Sequence, residues 1–144
     1  MTMPRNPDAK TRYTSNTHDA ARVALGMMLA TAGISHLTFA REAFKTQVPA
    51  WVKLDPDTVV LQSGIVEIAL GAALVALPRR KIALGWIAGA FFVGVFPGNI
   101  DQYRHHRDAF GLNTDRKRFA RLFFQPLLVA WALWATGART NSRD

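Results

Sequence analysis

The sequence predicts an all-α integral membrane protein that folds as a four-helix up-and-down bundle. Four runs are almost free of charge and are long enough to cross a hydrocarbon core of ~30 Å, which takes about 20 residues per helix. The third and fourth runs are apolar on all sides, whereas the helices of a soluble bundle are apolar along one stripe. The predicted spans are residues 23–40, 59–77, 82–100 and 119–136.

Composition restricts the class of partner. The chain has 144 residues, a length typical of one domain, and a formal net charge of +8. We expect its partner to be the lipid bilayer with its anionic surface, and no nucleic acid, because the sequence has no ladder of aromatic and basic residues. It also has no cysteine, which excludes a disulfide, a thiolate metal site and a dithiol redox relay.

The predicted domain organisation is one transmembrane domain between two polar ends. Residues 1–18 are polar, basic and without apolar periodicity, and they are predicted to form a disordered basic tail. Residues 19–137 hold the four helices. Gly137 is predicted to end the last helix, because glycine readily adopts the left-handed conformation found there. Residues 138–144 are predicted to form a polar tail.

The first span, 23–40, contains no Lys, Arg, Asp or Glu, and we expect an uncleaved anchor helix. Residues 30–32 are similar to a signal-peptidase site, but the apolar run continues beyond them. A cleaved signal peptide stays the alternative.

In the connection 41–57, two prolines exclude one continuous helix. Trp51 and Lys53 in this connection are typical of a segment at the level of the lipid headgroups.

The second span is predicted to turn directly back into the third. Asp57 and Thr58 offer capping oxygens at the start of the span 59–77, and Glu67 is its one charged residue. The basic turn at 78–81 is so short that the following helix must run antiparallel.

The third span has a face of small residues. Gly85 and Gly89 are four residues apart in the span 82–100, which allows close approach of another helix. A charged return follows over 101–117. Within it, Thr114 is predicted to cap the helix that holds the fourth span.

Polar residues inside the spans are the candidates for function, because an ionisable group there costs ~2.5–3.5 kcal/mol on insertion scales. At ~1.5 Å per residue, His36 lies ~5 Å, Gln125 ~9 Å and Glu67 ~12 Å from the membrane face that bears the two long connections. The half of the bundle near the 78–81 turn is expected to hold no such group. The candidate ligand-binding residues are His36, Ser63, Glu67, Asn99, Arg121 and Gln125.

Two interpretations of this polar cluster are open. In the first, the groups satisfy one another and fix the register of the helices. In the second, they form a small pocket that opens to one face of the membrane. A carboxyl and an imidazole beside an apolar pocket can exchange protons with a quinone ring. No metal is expected, because adjacent His105 and His106 point apart on a helix and no further ligand is evident.

Four segments of the sequence resemble the DoxX-like family over roughly residues 23–136. They are AGISHLTFAREAFKTQVPAWV, SGIVEIALGAALV, VFPGNIDQY and ARLFFQPLLVAWAL. The resemblance implies a four-helix protein of the bacterial inner membrane with a polar cluster at His36, Glu67, Asn99, Arg121 and Gln125. Relatives include a membrane subunit of thiosulfate:quinone oxidoreductase, companions of terminal quinol oxidases, and members linked to oxidative-stress complexes or receptor assembly.

The function that we expect from this resemblance is that of an accessory subunit in a quinone-linked redox system, with a membrane or peripheral redox protein as partner. Any enzymatic part is at most that of an accessory subunit, and a quinone is the candidate cofactor. The alternative is a non-catalytic scaffold or assembly factor that docks against partner helices. The Gly85 and Gly89 face and the aromatic third helix favour that alternative.

Membrane orientation is not decided by total charge, because each face carries nine Lys and Arg residues. The positive-inside rule gives most weight to short loops and to the first helix. We therefore expect both termini and the 78–81 turn on the cytoplasmic side.

Overall fold

The computed structural model describes residues 7–106 and 114–141, and it confirms the predicted all-α four-helix bundle. Four of its helices are long and apolar enough to cross a membrane. Residues 1–6, 107–113 and 142–144, which belong to the predicted basic tail, charged return and polar tail, lie outside the described residues. The helices are α1 (Pro7–Leu37), α2 (Arg41–Lys45), α3 (Pro56–Ala76), α4 (Lys81–Arg104), α5 (Asp115–Thr136) and α6 (Ala138–Asn141), with a 3₁₀ turn (Pro78–Arg80) between α3 and α4.

The N-terminal segment differs from the prediction. The structure continues α1 back to Pro7, so residues 7–18 are helical rather than a disordered tail. Proline suits the first turn of a helix, because its fixed φ is helical and its missing N–H needs no partner there. The predicted polar tail likewise begins with the short helix α6.

Two predicted helix ends are confirmed by their capping geometry. The Thr114 hydroxyl accepts a hydrogen bond from the Lys117 backbone N–H at 3.3 Å at the start of α5. Gly137 follows the last residue of α5 with a φ of 70°, the left-handed conformation that glycine adopts without strain.

The start of α3 was predicted one turn too late. Asp55, rather than Asp57 or Thr58, caps the helix, and its carboxylate accepts a hydrogen bond from the Thr58 backbone N–H at 3.2 Å. Pro56 occupies the first helical turn, where its missing N–H costs nothing. Asp57 is thereby free to pair with α2.

The helix α4 is longer than the predicted third span, which ended at residue 100. It runs to Arg104, so Asp101 and Gln102 are buried in the helix instead of lying in a charged return. The His105 ring lies 3.1 Å from the Asp101 carboxylate, which gives the buried acid a partner.

The bundle consists of two close helix pairs. α1 packs along α3, α4 packs along α5, and α1 also contacts α5, where the Trp131 indole donates to the Ala21 carbonyl at 3.0 Å. α3 and α4 make little contact with each other. The buried core between the pairs is formed by Leu25, Leu29, Leu70, Leu74, Ala88, Phe92 and Ala132.

Glycine contacts hold α1 and α3 together. A Cβ placed on Gly33 would lie 2.5 Å from the Gly64 carbonyl oxygen, and a Cβ on Gly64 would lie 2.9 Å from the Gly33 carbonyl oxygen. Gly26 and Gly71 make the same reciprocal contact two turns away. The two backbones therefore touch, which only residues without a side chain allow.

The glycine face of α4 is covered within the chain. A Cβ on Gly85 would overlap the Thr136 side chain of α5, and one on Gly89 would make ordinary contact with Leu133. Both glycines are buried. This face is therefore an internal contact and is not available to a partner helix.

The half of the bundle near the Pro78–Arg80 turn does contain a buried charge, contrary to expectation. Arg22 of α1 is 5% exposed and donates to the Leu74 carbonyl in the last turn of α3, with the Asp19 carboxylate 3.6 Å from its Nε. Carbonyl groups in the last turn of a helix lack intrahelical partners, so a guanidinium there is stabilising.

Candidate functional site

All six predicted site residues line one cavity of about 380 Å³ between the helices. His36 comes from α1, Ser63 and Glu67 from α3, Asn99 from α4, and Arg121 and Gln125 from α5. The remainder of the wall is largely apolar and includes Met28, Leu29, Val60, Phe91, Phe92 and Leu128. The structure thus brings together the residues that the sequence singled out, while their part in binding stays a prediction.

The centre of the polar wall is a contact between an imidazole and a carboxyl group on neighbouring helices. The Nδ1 atom of His36 is in contact with one Glu67 carboxylate oxygen, and both atoms are fully buried. Gly33 and Gly64 lie one turn from these residues, and their contact sets the short spacing that the pair requires. Glu67 also lines the cavity, so the pair lies in its wall.

Two amide side chains, on α4 and α5, line the cavity together with His36 and Glu67. The Gln125 Nε2 donates to the Phe92 carbonyl at 2.9 Å, which ties α5 to α4 in the turn preceding Pro97. Asn99 is 7% exposed, and among the described residues its amide has no hydrogen-bond partner. Asn99 lines the cavity, where its amide offers a donor and an acceptor to a ligand or water.

The cationic wall of the cavity comes from α5. Arg121 is half-buried and lines the cavity, whereas Arg118, one turn earlier, is buried and donates to Asp115 at 2.8 Å. Arg121 and Glu67 give the cavity both signs of charge. The cavity therefore has one polar end with hydrogen-bond donors and acceptors, and the rest of its wall is formed by apolar side chains.

The sequence did not predict that the connection between α2 and α3 forms part of the cavity wall. Its contributing residues are Gln47, Val48, Pro49, Trp51 and Val52, together with Phe44 of α2. The Phe44 ring lies over the His36 imidazole, with the ring centroids 3.5 Å apart.

The connection is fixed to α4 at two points. The Gln47 amide donates to the Gln102 side chain at 3.1 Å, and a Cβ on Gly98 would overlap the Gln47 carbonyl. The glycine in the VFPGNIDQY segment was the sequence signal for this contact.

An ionic contact fixes α2 at the start of α3. Arg41 forms a bidentate hydrogen bond with the Asp57 carboxylate, and the Lys45 Nζ lies 3.2 Å from the same carboxylate. The hydrogen bond to Asp57 raises the pKa of Arg41, and those to Glu42 and Asp57 raise the pKa of Lys45. Both residues therefore stay cationic, and their contacts with Asp57 keep α2 attached to the start of α3.

The cavity suits a neutral or weakly acidic molecule with a polar head better than it suits a metal ion. Within residues 7–106 and 114–141, no three His, Cys, Asp or Glu side chains are placed to hold a metal. An engineered cavity of ~150 Å³ accepts benzene, so a space more than twice that size has room for a substituted ring.

Residues 25–136 match the profile of a protein family described as a domain of unknown function (DUF8561). The chain belongs to the DUF8561 family. The DUF8561 match covers α1 from residue 25 onward, the whole of α3, α4 and α5, and every residue of the cavity wall. Comparison with curated proteins finds no match, and comparison with solved structures finds none either.

Proposed function

We propose that this protein binds a small lipophilic molecule with a polar head, foremost a quinone, in the membrane and thereby serves a redox partner as an accessory subunit. The proposal takes up the resemblance to the DoxX-like family and its quinone-linked members. The observation that carries it is the enclosure of His36, Glu67, Asn99 and Gln125, each more than nine-tenths buried, around one mainly apolar cavity.

The hydrogen-bonding groups of the cavity match both redox forms of a quinone. The Asn99 amide and the Arg121 guanidinium can donate to the two carbonyl oxygens of the oxidised ring. The Glu67 carboxylate can accept a hydrogen bond from a hydroquinone hydroxyl, and the Glu67–His36 pair can take up the proton that the ring releases. Any electrons would come from the redox partner, so the chain needs no redox group of its own.

A purely structural role for the cluster accounts for some of the contacts but not for all. The His36–Glu67 pair and the Gln125–Phe92 bond would fix helix register on their own. Asn99 makes no such bond among the described residues and faces the cavity. This difference favours a ligand over a register function.

The scaffold alternative loses its main support, because α5 covers Gly85 and Gly89. The exposed aromatic residue Trp86 of α4 still offers a surface for partner helices. A scaffold would keep its partner when the cavity is altered, and this is the difference that an experiment can use.

The proposed setting is the bacterial inner membrane with both termini in the cytoplasm. This places the Arg79–Lys81 turn inside, as the positive-inside rule favours for a short loop. The cavity, which lies in the other half of the bundle, is then nearer the outer face of that membrane.

Mass spectrometry of small molecules that co-purify with the protein tests the proposal. Quinone should accompany the wild type and be lost from Glu67→Gln, which keeps the side-chain shape but removes the charge. The control is Glu42→Gln, since Glu42 is exposed on α2 and outside the cavity. Wild-type protein without quinone, or Glu67→Gln with an unchanged quinone content, would contradict the proposal.

A further inference from the structure

The cavity has a mouth on one side of the bundle. Three residues of its wall are exposed, namely Trp51 in the connection before α3, and Gly94 and Val95 on α4. Trp51 is 69% exposed, and a Cβ placed on Gly94 would have no atom within 4 Å. The other wall residues are buried or half-buried, so the cavity opens between this connection and α4.

The α4 side of the mouth lies at the depth of the hydrocarbon core. Gly94 precedes Ile100, the last apolar residue of its span, by six residues, which corresponds to ~9 Å along a helix. Val93 beside it is 60% exposed and apolar, as is typical of a lipid-facing surface. A molecule that passes this mouth therefore comes from the bilayer rather than from water.

The helix arrangement explains why the mouth is on this side. α3 is in close contact with α1, and α4 with α5, but α3 and α4 make little contact with each other. The connection that carries Trp51 covers the end of the gap next to Gly98 and Gln102 of α4, because Gln47 is held against these two residues. The gap continues from the polar end of the cavity to the lipid-facing surface at Gly94.

We infer that the ligand is a membrane amphiphile that enters sideways from the bilayer, with its head at Glu67 and Asn99 and its hydrocarbon chain leaving between Trp51 and Val95. The inference rests on the proposed function and adds the chemical class of the ligand and its route. The cavity of about 380 Å³ can hold a ring-sized head but not a long isoprenoid or acyl chain as well. The chain must then lie outside, where the mouth meets the lipid.

Binding of two quinones to the protein in phosphatidylcholine nanodiscs tests this route. One is a dimethoxy-methyl-benzoquinone with a decyl tail, and the other has the same ring without the tail. Gly94→Trp, which narrows the mouth, should weaken equilibrium binding of the tailed quinone at least roughly tenfold and weaken that of the tail-less quinone much less. Val95→Trp is a second variant that fills the mouth from the next position.

The control is Ala130→Trp, which adds an indole at an exposed position of α5 away from the cavity and should bind both quinones as the wild type does. If Gly94→Trp and Val95→Trp bind the tailed quinone like the wild type, or lose both quinones equally, the inference is wrong and the proposed function stands. If the wild type binds neither quinone, the proposed function fails, and the inference fails with it.

Discussion

The His36 imidazole and the Glu67 carboxyl group make a buried contact between α1 and α3, and the backbone contact between Gly33 and Gly64 lies one turn from it. The glycines bring the helix axes close enough for a short imidazole and a carboxylate to meet without water between them. In a bilayer the pair is the less costly way to bury both groups, because each would otherwise face apolar surroundings alone.

Single substitutions in the pair should destabilise the protein more than the double substitution. Glu67→Met or His36→Leu leaves one polar group buried without a partner, which costs about 1–3 kcal/mol. Replacing both residues leaves no buried polar group without a partner, so stability should return towards that of the wild type. Thermal unfolding in detergent, followed by circular dichroism, measures the three variants. If the destabilisation of the double variant equals the sum of the singles, the two residues are not coupled.

Gly64→Ala should lower stability, because its new Cβ would lie 2.9 Å from both the Gly33 carbonyl oxygen and the His36 Cβ. Such overpacking costs about 1–3 kcal/mol and should also separate His36 from Glu67. Gly94→Ala is the matched control, because its Cβ meets open space and alanine favours a helix by about 0.5–1 kcal/mol over glycine. Equal melting temperatures for the two variants would show that α1 and α3 are not in backbone contact.

Gln125→Met should destabilise the contact between α4 and α5 by about 1 kcal/mol, since the Phe92 carbonyl loses the hydrogen bond that it accepts from the side chain. Methionine keeps the length of the side chain, so packing changes little. Gln62→Met makes the same change at an exposed position of α3 and should leave stability unchanged or slightly raised. Unfolding in the same detergent compares them, and an equal effect at both positions would exclude the specific bond.

Cysteine labelling should place the two ends of the bundle on opposite sides of the membrane. The sequence has no cysteine, so Lys53→Cys and Arg80→Cys each introduce a single thiol. In intact cells, a membrane-impermeant maleimide should label Lys53→Cys, and it should reach Arg80→Cys only after the membrane is permeabilised. Labelling of both in intact cells would contradict the bundle, whereas the reversed pattern would contradict only the proposed orientation.

The sequence by itself determined the four spans and the depth of the polar residues in them. Both depend on position along a single helix. The rise per residue is constant and the bilayer has a fixed thickness, so the depth of a residue can be calculated from its number. Thr114 and Gly137 were predicted for a similar reason, since a helix cap depends on the local chain. The same reasoning missed Asp55 and the extension of α4 through Asp101 and Gln102.

Only the tertiary structure decided which helices pair and where the cavity opens. The contacts of Gly33 with Gly64, of Gly85 with Thr136 and of Gln47 with Gly98 join residues distant in sequence. Such contacts decide how each helix is rotated and which helix it packs against. A helix that is apolar on all sides gives little indication of either in its sequence. For this reason the six polar residues were predicted in one half of the bundle, while the wall built by the α2–α3 connection and the mouth at Gly94 were not predicted.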